Sequence, residues 1–71
     1  MLFKVENMSC QHCVNAITRA LQALDPAAQV RVDLARGEVE ASGSFSADAA
    51  IAALKEEDYP AQLLRNERPD P

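Results

Sequence analysis

Residues 2–24, LFKVENMSCQHCVNAITRALQAL, change their hydrophobic period part-way along, and that change decides the fold. From Leu2 to Glu6 apolar and polar residues alternate, Phe3 and Val5 against Lys4 and Glu6, which is the pattern of a half-buried strand. Asn7 to His12 is polar and breaks the alternation as a loop. From Cys13 onward Val14, Ile17, Leu21 and Leu24 recur three and four residues apart, the stripe of an amphipathic helix. Asp25-Pro26 ends it, because a residue before proline is pushed out of the helical region.

Outward from that switch the pattern repeats. Val30, Val32 and Leu34 alternate with Arg31 and Asp33 as a second strand, Arg36-Gly37 turns the chain, and Val39 and Ala41 continue as the hairpin partner. Ser42-Gly43-Ser44 interrupts, Ser44 or Ser46 caps a second helix with Ala47, Ala50, Ile51 and Leu54 on its apolar face, and Tyr59-Pro60 closes it. Ala61 to Leu64 is a short last strand. The order strand, helix, strand, strand, helix, strand predicts an α+β fold, a ferredoxin-like βαββαβ sandwich with a four-stranded antiparallel sheet and both helices on one face. Its core should be Phe3, Val5, Val30, Val32 and Val39 against the two helix stripes. Residues 1–66 make one domain, and 67–71, charged and proline-bearing, a flexible C-terminal tail.

Composition narrows the function. With 71 residues there is room for a single modest core; a domain near this size buries only about 60 % of its unfolded surface. The chain is 48 % hydrophobic, but much of that is alanine and only 4 % is aromatic, which suits thin helices on a sheet and not a deep pocket for an organic substrate. A formal charge of −4 argues against nucleic acid and against adhesion to anionic membrane. No apolar run approaches the roughly 20 residues of a membrane span, and Met1 leads straight into a strand, so a cytoplasmic protein is expected.

The chemistry lies in Met8-Ser9-Cys10-Gln11-His12-Cys13. The chain has two cysteines and one histidine in all. A structural zinc site wants four ligands and an iron–sulfur cluster normally four cysteines. Thiolates are soft donors, and Cu(I) is satisfied by two of them, so Cys10 and Cys13 point to Cu(I), with Hg(II) the main rival. Cys13 should open the helix, where unpaired N–H groups and the positive end of the dipole favour a thiolate. Cys10, on the loop, should be the more exposed. A two-coordinate ion at a loop stays open to an incoming thiolate, which suits delivery and not storage. The competing reading of a lone CxxC is a small thiol–disulfide oxidoreductase, but such sites sit in a larger α/β fold with an aromatic and a proline beside the cysteines, and neither is present.

The MxCxxC spacing of residues 8–13 resembles the signature of heavy-metal-associated domains, and is similar above all to CopZ-type bacterial copper chaperones; the resemblance covers Leu2 to Leu64. It implies that Met8 is a buried anchor of the loop and not a ligand, and that Tyr59, in Asp58-Tyr59-Pro60-Ala61, lies beside the metal loop as the tyrosine of the family's GYxA segment does. The implied partner is the metal-binding domain of a copper-transporting P-type ATPase, with a copper-responsive regulator as a further one. The protein would be a monomer without metal, with a copper-bridged homodimer left open, and a regulatory metal-binding domain of a metal-transporting ATPase is an alternative identity. Two positions depart from the family, which usually has glycine before the methionine and before the tyrosine. Asn7 and Asp58 stand there, short polar residues that tolerate a left-handed backbone better than most.

Three residues keep two readings each. His12, between the cysteines, should point outward and is either a solvated side chain or a tuner that favours neighbouring thiolates when protonated and can serve as a transient extra ligand. Tyr59 either packs or screens the ion from water. The run Glu56-Glu57-Asp58 opposes the dipole at a helix end, and either is a solvated face or orients a basic patch on the partner.

Overall fold

A computed structural model describes residues 1–9 and 11–65; the expected domain boundary at 66 and the tail 67–71 lie outside them. The elements are β1 (Leu2–Val5), α1 (Gln11–Leu24), β2 (Gln29–Asp33), β3 (Glu38–Ser42), α2 (Ala47–Glu56) and β4 (Ala61–Arg65). All strand pairs are antiparallel and the sheet order is β2-β3-β1-β4. This is the ferredoxin-like βαββαβ sandwich that the change of period predicts. Alternation puts Phe3, Val5, Val39 and Ala41 on one face, where they form a single core with Ile17 and Leu21 of α1 and Ala50 and Leu54 of α2.

The core is narrower than expected. Val30 and Val32 are only half-buried and Ala41 takes their place in the core, since β2 is an edge strand with a neighbour on one side only. Leu34 leaves the strand altogether and is exposed in the four-residue loop to β3. On α1 the buried line is Cys13, Ile17 and Leu21. Val14 sits at its margin, and Leu24, one turn beyond Leu21, is 41 % exposed because the helix has outrun the core. β4 is the other edge; its register against β1 shifts between Phe3↔Leu63 and Leu2↔Arg65.

Each connection has a local cause. Ser46 caps α2, its Oγ accepting from the Ala49 N–H at 3.1 Å, with Asp48 in the first turn to complement the dipole. At the other end of α2 the Asp58 N–H donates to the Lys55 carbonyl at 3.0 Å and the Tyr59 N–H to the Leu54 carbonyl at 2.9 Å, the paired bonds of a Schellman motif. That motif needs a left-handed residue, and Asp58 supplies it with φ 68°. In the β2–β3 loop Gly37 takes φ 65°, and its carbonyl accepts from the Val5 N–H at 2.8 Å.

Candidate metal site

Three segments meet where β1 ends. Besides the Val5–Gly37 bond, the Glu6 N–H donates to the Pro60 carbonyl at 2.9 Å, so the loop leaving β1 is sewn to the β2–β3 loop on one side and to the α2–β4 turn on the other. Asn7 then turns with φ 69°. Its Nδ2 donates to the Asp58 carbonyl at 3.1 Å, joining the two left-handed residues across the gap. Both family glycine positions thus adopt the backbone that glycine would, and the residue at the first adds a side-chain tie.

Cys13 is the third residue of α1, two later than its expected place at the helix start, and it is only 7 % exposed. The first turn begins at Gln11 and carries Cys13 round onto the line of Ile17 and Leu21. Its sulfur is enclosed by the loop: Sγ accepts from the Ser9 N–H at 3.5 Å and donates to the Asn7 carbonyl at 3.6 Å. Sulfur hydrogen bonds are long and weak, but two backbone groups of one loop on one thiol fix its direction. An N–H directed at sulfur is also the partner that a thiolate keeps when its proton leaves.

Cys10 lies outside the described residues; in sequence it stands immediately before α1. Met8 is half-buried against the core, so it is packed at the loop's base though not fully enclosed. Tyr59 is half-buried on the same core, in the turn that receives the Glu6 and Asn7 bonds. His12 and Gln11 are exposed on the first turn of α1. Glu56, Glu57 and Asp58 are exposed too, but Asp58 has a structural duty as the left-handed cap of α2. Among the described residues no three of His, Cys, Asp and Glu gather into a cluster that could hold a metal ion, and no helix is long and apolar enough to cross a membrane.

Two parts of this arrangement escape a reading by residue type. The Asn7 side chain is one, and a polar side chain at a glycine position is the signal that finds it. The Ser9 N–H is the other, and as a backbone group it carries no signal in the sequence.

Comparison with known proteins follows the same outline. The profile of the heavy-metal-associated domain matches residues 2–60. The copper chaperone CopZ of Bacillus subtilis (strain 168) is 47 % identical over 45 residues, 63 % of this chain and 62 % of that protein, so the match spans under two thirds of the relative's length. Among solved structures, a gold-binding protein is 32 % identical with a TM-score of 0.82, over 87 % of this chain and 95 % of its own. A trimeric Cu1 form of a point mutant of the copper chaperone Atx1 from Synechocystis PCC6803 is 26 % identical with a TM-score of 0.84, over 87 % of this chain and 98 % of its own.

Proposed function

The chain belongs to the heavy-metal-associated domain family, and on that premise we propose that it is a copper chaperone that captures Cu(I) between the thiolates of Cys10 and Cys13 and passes it on by thiolate exchange. The receiver would be the metal-binding domain of a copper-transporting P-type ATPase, and the setting the cytoplasm. The observation that carries this reading is Cys13 on the first turn of α1, its sulfur gripped by backbone groups of the loop that holds the second cysteine.

The chemistry follows from the donors. Thiols bind as thiolates, so capture releases protons. When Cys13 loses its proton the bond to the Asn7 carbonyl goes with it, while the Ser9 N–H stays as a partner for the anion. Together with the thiolate of Cys10, the Cys13 sulfur would make a two-coordinate site. Two sulfurs saturate a monovalent soft ion and leave its flanks open. A partner's thiolate adds, a three-coordinate site with one more negative charge forms, and one thiolate of this chain departs and regains a proton, which restores the two-coordinate charge. Met8 holds the base of the loop, Tyr59 limits water on one side, and exposed His12 adjusts the local charge without closing the coordination sphere.

Likeness to a gold-binding protein fits the same donors, because two thiolates suit soft monovalent ions generally. The deciding experiment is an oxygen-free titration of the reduced protein with Cu(I) against a competing chelator, with Au(I) and Zn(II) in parallel and the oligomeric state followed by size. Retention of Cu(I) as one ion per chain, or one bridging two chains, is expected, with zinc lost to the chelator. If the chelator keeps all the copper, or gold is held and copper is not, the proposal fails.

A further inference from the structure

Asn7 does three things at once. Its backbone takes a left-handed turn (φ 69°), its carbonyl accepts the hydrogen bond from Cys13 Sγ at 3.6 Å, and its Nδ2 ties it to the Asp58 carbonyl at 3.1 Å. A glycine could do the first two. The third needs the amide. We propose that Asn7 is a positioning residue for the thiol: its side chain clamps the cysteine loop onto the rigid Schellman turn of α2, and so keeps the backbone cover over Cys13 closed until metal or a partner opens it. The purpose of the clamp, though not its existence, rests on the reading of Cys13 as a ligand.

The argument is one of leverage. Asp58 is fixed by α2, since its N–H and that of Tyr59 close the helix end. The bond from Glu6 to Pro60 holds the base of the loop to the same turn, but it precedes Asn7, and nothing in it restrains the residues that cover the sulfur. The Asn7 amide extends that hold by one residue, to the point where carbonyl and Cys13 meet. Removing it leaves the strand pairing and the core as they were and frees the cover. Because Asp58 accepts through its backbone, its own side chain is dispensable to the clamp. This makes the pair Asn7→Gly and Asp58→Gly unequal, although both place glycine at a left-handed position.

Two readouts separate the clamp from the copper reading. In a Cys10→Ser background, alkylation of Cys13 by a maleimide reports opening of the cover without any metal. Losing one exposed hydrogen bond should raise the open population, so Asn7→Gly should be alkylated about two- to tenfold faster, as should Asn7→Asp, which tolerates the backbone but lacks the donor. Asp58→Gly should react at the parent rate. In the chain with both cysteines, Asn7→Gly should release Cu(I) to a chelator faster by a similar factor, with no fall in the urea midpoint. A purely structural Asn7 would lower the midpoint and leave both rates in proportion to it. Equal alkylation rates for Asn7→Gly and its parent overturn the clamp even if copper binds. Faster alkylation with no copper retained by the parent protein leaves the clamp standing and overturns the chaperone reading instead.

Discussion

At the end of the sandwich that carries the cysteine loop, the described residues with positive φ are gathered together: Asn7, Gly37 and Asp58. Backbone bonds from Val5 and Glu6 join the loops there, and two backbone groups meet the Cys13 thiol through weak sulfur bonds. At the opposite end the chain is braced by a single carboxylate. Asp25 Oδ1 accepts from the Ala27 N–H at 3.0 Å and Oδ2 from the Ser44 N–H at 2.8 Å, tying the end of α1 to the approach of α2. Gly43 beside it has no room to spare: a Cβ there would come within 2.6 Å of Phe45, 3.0 Å of Asp25 Oδ2 and 3.1 Å of Ala28 Cβ. One end keeps its backbone in less favoured conformations and meets the thiol with weak sulfur bonds, as suits a loop that must open. The other end is packed and charge-assisted. Changes to the residues that cover the thiol should therefore act on metal, and changes at the second end on stability.

The largest effect should come from Cys13→Ala. Even mutations around metal ligands typically cost 10- to 100-fold in affinity, so removing one of two sulfurs should weaken Cu(I) retention by more than about a hundredfold. Chelator competition measures it. Unaltered retention would show that Cys13, with only 7 % of its surface exposed, is a core residue and nothing more.

Gly43→Ala is the counterpart at the far end. Overpacking of this kind costs about 1–3 kcal/mol, because Ala28 and Phe45 must both shift. The urea midpoint should fall while copper affinity stays at the parent value. A variant that lost copper in step with stability would erase the distinction between the ends.

How much of this was legible beforehand differs between the ends in the same way. The strand-to-helix switch at residues 2–24, the Ser46 cap and the outward-facing His12 follow from local pattern, and Asn7 and Asp58 show as tolerated left-handed residues once they are compared with a family of glycines. The burial of Cys13 is hidden in the sequence because its ligand chemistry masks a second character, that of a small apolar side chain with a place on a helix face. Val30 and Val32 alternate as well as Phe3 and Val5 do, and only the strand order reveals that they lie at an edge. The Asp25 brace was invisible for a different reason. Asp-Pro announces the end of a helix, but nothing local tells that Asp25 will meet Ser44. Positions and chemistry of the candidate ligands are sequence-borne, whereas burial and long-range ties belong to the tertiary fold.

A smaller effect, opposite in sign, is expected from Asp58→Gly. The left-handed conformation costs an ordinary residue about 1–2 kcal/mol and aspartate less, so glycine at this cap should stabilise the protein by up to about 1 kcal/mol. Thermal unfolding would show a raised midpoint. No gain would indicate that the Asp58 side chain, exposed beside Glu56 and Glu57, offsets its backbone cost by contacts of its own.

The smallest effect is best seen as a function of pH. The Ser44 N–H, and after it the Ala27 N–H, hold the Asp25 carboxyl below its ordinary pKa. A carboxylate whose pKa is lowered in the folded state adds stability that is fully present above the unfolded value and disappears as pH falls through the folded one. Asp25→Asn keeps an oxygen for one donor but sets an NH2 against the other, so at pH 7 it should unfold at lower urea than the parent. On acidification below the ordinary carboxylate range the parent should weaken toward the variant, and the two curves should converge once Asp25 is protonated. Copper affinity at pH 7 should be the same for both. A gap that stays constant through the acid limb would mean that the carboxylate holds this end by shape and not by charge, and the contrast between a charge-assisted end and a soft one would then rest on Gly43 packing alone.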